Sequence, residues 1–153
     1  MRRFVSIALL GAALASACAP AHRQAVTPKQ LYFAVELYRD GRMVGKPRLL
    51  GESGKLLRAE RRKPGSEVAD YSLTLAPIQE GDRYRIGVHL EVPELAAAQS
   101  ELALLHGEMR KIELGARPGD LAVALTLMEV DSPEFRALMS LVGDPEAERP
   151  RSM

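Results

Sequence analysis

Few residues in this chain have both the type and the position to do chemistry. Cys18 is the only cysteine among 153 residues. A lone cysteine forms no intramolecular disulfide and builds no thiolate metal cluster, so its chemistry is that of a single nucleophilic sulfur. The three histidines, His22, His89 and His106, are too far apart in sequence to supply the closely spaced ligands of a metal site. They read as ordinary solvated side chains. No Gly-x-Ser-x-Gly elbow, HExxH pair or phosphate-binding glycine loop occurs. Nor does spacing bring two carboxylates together for acid/base work. The expectation is a protein that is not an enzyme and carries no cofactor and no metal.

Cys18 gains meaning from what precedes it. Arg2 and Arg3 are followed by an apolar run from Phe4 to Leu14 and by the small residues Ala15, Ser16 and Ala17. Positive start, short apolar centre and small-residue close are the three parts of a secretory signal. About 11 apolar residues fall short of the roughly 20 that a spanning helix requires. Residues 1–17 are therefore expected to leave the mature protein. Two processing routes fit, an ordinary cut after the Ala15/Ala17 pair or a cut before Cys18 with a lipid joined to its sulfur, and the second is favoured. The run Leu14-Ala15-Ser16-Ala17-Cys18 resembles the bacterial lipobox, with Ala15 where that pattern usually has leucine. Ala19, in place of an acidic residue, implies by the same resemblance an outer-membrane destination facing the periplasm. The alternative is a periplasmic protein without an anchor.

Loss of Arg2 and Arg3 turns 21 basic against 20 acidic residues into 19 against 20, a net charge of −1. That balance offers no general attraction for nucleic acid. The most uneven stretch runs from Lys46 to Lys63, where Arg48, Lys55, Arg58, Arg61, Arg62 and Lys63 outnumber Glu52 and Glu60. As a basic hairpin face it would attract an envelope protein or an anionic envelope surface. The same charges also serve a sheet edge as protection against aggregation. The methionines Met109, Met128 and Met139 are isolated and read as core filling.

The elements that must position these residues are mostly strands. Residues 18–30 have no periodicity and read as a tether. Leu31, Phe33, Val35 and Leu37 alternate with Tyr32, Ala34, Glu36 and Tyr38, the period of a strand with one buried face. Asp40-Gly41 suits a two-residue hairpin turn, so Leu31–Arg39 should pair with Arg42–Leu50. Turns at 51–54 and 63–66 bound a short stretch, Lys55–Arg61. Tyr71–Leu75 and Tyr84–Val92 form a meander about Gln79–Asp82. Between Glu94 and His106 a helix begun by Pro93 competes with a hairpin, Ser100–Leu105 and Glu108–Leu114, about His106-Gly107. The hairpin is favoured because strands flank it. Leu121, Val123, Leu125 and Leu127 mark a last strand. Ser132 caps a helix with Pro133 in its first turn and Phe135, Leu138, Met139 and Val142 on one stripe. The expected fold is mainly β: an antiparallel sandwich or curled sheet of six to eight strands with one short C-terminal helix, filling 31–143, and residues 144–153 are expected to be a disordered tail.

Across Phe33 to Val92 the order of elements resembles the β-rich part of the secretin family of type II and type III secretion. Lys46-Pro47-Arg48-Leu49-Leu50, Gly54-Lys55, Tyr71 to Ile78, Gly81-Asp82 and Arg85 to Val88 carry the likeness. Leu56–Arg62 lacks the family's apolar-x-apolar-Gly close, and the ring-building domains and membrane lip have no counterpart here. The resemblance implies a stand-alone envelope β-module that docks edge to edge. The competing expectation is a soluble periplasmic small-ligand or enzyme domain with Arg83, Arg85, His89 and Glu91 lining a pocket on the polar strand face.

Overall fold

The computed structural model describes residues 27–142. The signal at 1–17, Cys18, His22, most of the tether and the tail at 144–153 lie outside the described residues. Nine strands and one helix follow in order: β1 (Gln30–Arg39), β2 (Arg42–Gly45), β3 (Arg48–Glu52), β4 (Leu57–Arg62), β5 (Ala69–Glu80), β6 (Arg83–Glu91), β7 (Ala98–Leu105), β8 (Met109–Leu114), β9 (Leu121–Glu129) and α1 (Pro133–Val142). They form two antiparallel sheets and the short C-terminal helix, the mainly β architecture that the alternation implies.

The first sheet runs β2-β1-β9-β8, with β3 also paired to β1; the second runs β4-β5-β6-β7. Inward residues of both sheets meet in one core. Leu31, Phe33, Val35 and Leu37 of β1 and Leu121, Val123, Leu125 and Leu127 of β9 lie opposite Leu73, Leu75, Tyr84, Ile86 and Leu90 of the second sheet, all at most 1% exposed. The period of two places these residues on one face of each strand, and burying that face holds the sheets together.

The strand count rises to nine because Arg42–Leu50, expected as one strand, is two. Pro47 has no N–H to give to a ladder. Its carbonyl still accepts from Val35 N at 3.1 Å, so the chain stays beside β1 while the strand breaks. β3 then pairs with the first half of β1 and β2 with the second. The turn between β1 and β2 is the expected one, with Asp40 and Gly41 both at positive φ.

A second correction concerns the two corners where the chain changes sheet. Ser100–Leu105 and Glu108–Leu114 are strands, but not partners. β7 pairs with β6 in one sheet and β8 with β9 in the other, so His106-Gly107 carries the chain across the sandwich instead of closing a hairpin. Gly107 N donates to Leu127 O at 2.8 Å, which holds this corner to the last strand. β3 and β4 likewise lie in different sheets, so Lys46–Lys63 is a corner and not a hairpin. At the end of β2, Gly45 lies under the ring of Tyr71 of the second sheet, where a β-carbon would come within 2.5 Å of it. A helix from Pro93 is excluded by Glu94, whose φ of 70° is left-handed. Arg39 holds this bend by donating to Pro93 O and pairing with the Glu94 carboxylate, both at 3.2 Å.

The C-terminal helix begins as expected: Phe135 N donates to Ser132 Oγ at 3.1 Å. It packs on the outer face of the first sheet, where the rings of Phe135 and Tyr32 lie 5.2 Å apart. None of its residues is buried.

Candidate functional site

The six basic residues singled out by the sequence fall in three places. Arg48 is on the outer face of β3, directly across from Ala34. Lys55 lies in the β3–β4 corner and pairs with Glu52 at 2.6 Å. Arg58, Arg61, Arg62 and Lys63 remain together along β4 and its end, at the edge of the second sheet.

Alternation sends Arg58, Glu60 and Arg62 to the outer face, with Glu60 between the two arginines. Arg58 approaches Glu60 at 3.6 Å and Ser72 Oγ at 3.3 Å; Arg62 binds Glu60 and donates to Glu67 O at 2.9 Å. The register shift between Arg61 and Arg62 leaves Asp70 of β5 with no residue opposite it on β4. Arg61 alternates inward with Leu57 and Ala59, toward the first sheet, where it donates to Val44 O at 3.4 Å and lies 3.7 Å from Asp70, which also faces Lys63 at 3.9 Å. In these ion pairs four cations share two carboxylates, so the edge keeps an excess of positive charge. β4 has a ladder partner on one side only, β5. Its other side offers backbone donors and acceptors to an added strand.

The residues proposed for a ligand pocket lie on the outer face of β6. Arg85 pairs with Glu80 at 2.8 Å and with Glu101 at 3.7 Å, while His89 bonds Glu91 at 3.0 Å. Between them Ala76 and Gly87, neighbours across β5 and β6, floor an open depression of about 650 Å³ rimmed by Thr74, His89, Gln99 and Glu101. Arg83, on the same face, starts the strand beside the turn.

One cluster had no signal in the sequence. At the end of the sandwich where β1 begins and β9 ends, Glu129 accepts from the buried Tyr84 hydroxyl at 2.7 Å and pairs with Lys29 at 2.9 Å. His106 is half-buried rather than freely solvated: its Nδ1 accepts from Glu129 N at 3.0 Å, and its Nε2 lies 3.2 Å from the Glu134 carboxylate at the start of α1. With Nδ1 accepting, Nε2 carries the proton and donates to Glu134. The chain's entry, the inter-sheet corner, the last strand and the helix are thus joined at one point. Lys29, Tyr84, His106 and Glu129 are too far apart in sequence for any motif to announce them.

The hydroxyl of Tyr84 and the charge of Lys29 hold the Glu129 carboxyl below its ordinary value, against the opposing effect of burial. Burial first, and the bond to Glu129 second, push the Tyr84 phenol well above its ordinary range. The sign for Glu129 follows from linkage: its carboxyl is more acidic in the folded protein, so the unfolded chain takes up the proton first. The stabilisation is present above about pH 4.5 and is lost as pH falls through the folded value. Tyr84→Phe is accordingly expected to cost about 1.5–3 kcal/mol at pH 7, the usual scale of a hydrogen bond to a charged group. In urea unfolding the gap between wild type and variant should shrink at pH 3; a gap independent of pH would contradict this assignment.

Among the described residues no group of three or more histidine, cysteine, aspartate or glutamate side chains is placed to hold a metal ion. No helix among them is long and apolar enough to cross a membrane. Compared with protein-family models, curated proteins and solved structures, the chain matches none.

Proposed function

We propose that the protein is a non-enzymatic cell-envelope lipoprotein, anchored to the outer membrane through Cys18 and facing the periplasm. Its role is to dock on another envelope or secretion component through the β4 edge. The observation that carries the docking surface is the pairing of an open ladder with surplus charge: β4 lacks a strand on one side, and Arg58, Arg61, Arg62 and Lys63 share only Glu60 and Asp70. An extended acidic segment of a partner would satisfy both, main chain to main chain and carboxylate to guanidinium. The signal-like start, Cys18 and the secretin-like order of elements support the same compartment and the same edge-to-edge mode.

A photo-crosslinking side chain at Glu60, between the two outward arginines, tests this in cells. A discrete adduct is expected, falling about tenfold, equivalent to roughly 1.4 kcal/mol, when Arg58 and Arg62 are both changed to glutamate. An adduct insensitive to the reversal, or none at Glu60, would remove β4 as the docking edge.

The second reading, a soluble periplasmic small-ligand or enzyme domain, is favoured by the depression over Ala76 and Gly87. It places the ligand on the outer face of β5 to β7 and assigns β4 no role. Under that reading a crosslinker at Gln99, on the depression's rim, would be displaced by the ligand while Glu60 stays silent.

A further inference from the structure

The apolar stripe of α1 outruns the sheet that supports it. Phe135, beside Tyr32, and Leu138 are half-buried, but exposure then rises to 44% at Met139 and 70% at Val142, with Leu141 beside them at 84%. A 10-residue helix is marginal in water without a surface to cover its apolar side. The sheet beside it is also apolar on its outer face. Tyr32 has Leu50 and Met128 as its cross-strand neighbours, and Met109 lies in the next row opposite Thr126. Leu50 and Met109 are both more than half exposed.

The point at which the chain enters the fold bears on what covers this surface. The chain enters the fold at Lys29 and Gln30, and Gln30 O accepts from Val130 N at 3.0 Å, at the strand end that leads directly into α1. Cys18 is 11 residues before Lys29, so an anchor there lies at most about 40 Å of extended chain away. The charges bordering the apolar surface balance: Glu52 pairs with Lys55, Glu129 with Lys29 and Glu108 with Arg110, while Glu134, which accepts from His106, is offset by Arg48 on the outer face of β3. Asp131 and Arg136, at the strand-to-helix junction, add one charge of each sign. A neutral rim does not repel an anionic lipid surface, and the membrane that holds the anchor is the apolar surface nearest to the helix.

We infer that α1, with Leu50 and Met109 beside it, lies on the lipid surface to which Cys18 is attached, the C-terminal turn of the helix entering the interface. The helix would then fix the domain's orientation and turn the second sheet, with β4, toward the periplasm. The inference rests on the anchoring proposed above. Lipid-facing helices of this kind lie in the interface plane with one apolar face sunk below the headgroups.

The chain contains no tryptophan, so a single one reports its surroundings without background. Leu141→Trp and, as a control on the outer face of β7, Gln99→Trp are made in the chain from Cys18 onward. Each is coupled through its only cysteine to a maleimide phospholipid in vesicles of phosphatidylethanolamine and phosphatidylglycerol at about three to one. This coupling imposes the anchor, so the helix is tested whether or not the cell attaches a lipid; native lipidation is read separately from the mass of the cellular protein. The expected result is blue-shifted emission at position 141, quenched by brominated lipid, with position 99 remaining water-like. Water-like emission at both positions overturns the inference, and so does a shift at both. A shift at 141 without vesicles, accompanied by a dimeric mass in solution, also overturns it, because a second copy then covers the helix.

Discussion

Phe33→Ala is expected to lower stability by about 3–5 kcal/mol, the range for removing a large ring from a packed core. Phe33 is fully buried in β1, which pairs along nearly its whole length with β9 and has β2 and β3 on its other side. Its ring points into the space between the sheets, where Leu49 of the adjoining strand and the inward leucines of the second sheet belong to the same core. Domains of this size have only about 5–15 kcal/mol in total, so this loss consumes much of the margin. Phe33→Leu keeps most of the volume and should cost less than about 1.5 kcal/mol. Urea unfolding of both variants checks the pair of values. A loss near zero for Phe33→Ala would mean that the two sheets do not close on one another as described.

Cys18→Ala is expected to move the protein out of the membrane fraction, the largest functional change any single substitution should produce. Each acyl methylene buried in a bilayer contributes about 0.8 kcal/mol, so acyl chains on Cys18, as proposed, would supply nearly all of the anchoring energy. The helix surface around Leu141 would add a contact but no comparable hold. Cys18 lies outside the described residues, and the unfolding midpoint of the β domain is expected to be unchanged in the same variant. Retention of Cys18→Ala in washed membranes would show that another part of the chain holds it there.

How much of this was legible in the sequence depends on whether a feature is local. The alternation at Leu31–Leu37 and Tyr84–Val92 announces strands because a period of two needs only neighbouring residues to be seen. Asp40-Gly41 and Ser132-Pro133 announce a turn and a helix start through their own backbone preferences. Pairing between distant strands leaves no such mark. Nothing around His106 and Gly107 distinguishes a hairpin turn from a corner between sheets, since both need a tight reversal with a positive φ. The difference lies in β6 and β9, which claim β7 and β8 respectively. Pro47 was visible, but that it divides a strand depends on the N–H missing from a ladder with β1.

The candidate site follows the same division. The basic residues of β4 stand together in sequence and stay together in the fold. Arg48 and Lys55, equally close in sequence, are carried away by the change of sheet. The cluster of Lys29, Tyr84, His106 and Glu129 exists only because the first, middle and last parts of the chain end at one rim. The depression over Gly87 likewise depends on the small side chain of Ala76 beside it, a register relation between β5 and β6.

Anchoring of this β-module at the envelope through a lipid on Cys18 is the proposal from which the docking and helix roles follow. It is decided by an intact mass of the mature protein, taken from membrane and soluble fractions with Cys18→Ala prepared in parallel. The prediction is a membrane-fraction protein that begins at Cys18 and carries a lipid-sized mass increase, with the alanine variant released or left unprocessed. A plain cut near Ala17 with no added mass would contradict it, and the soluble periplasmic binding domain would then be the better reading.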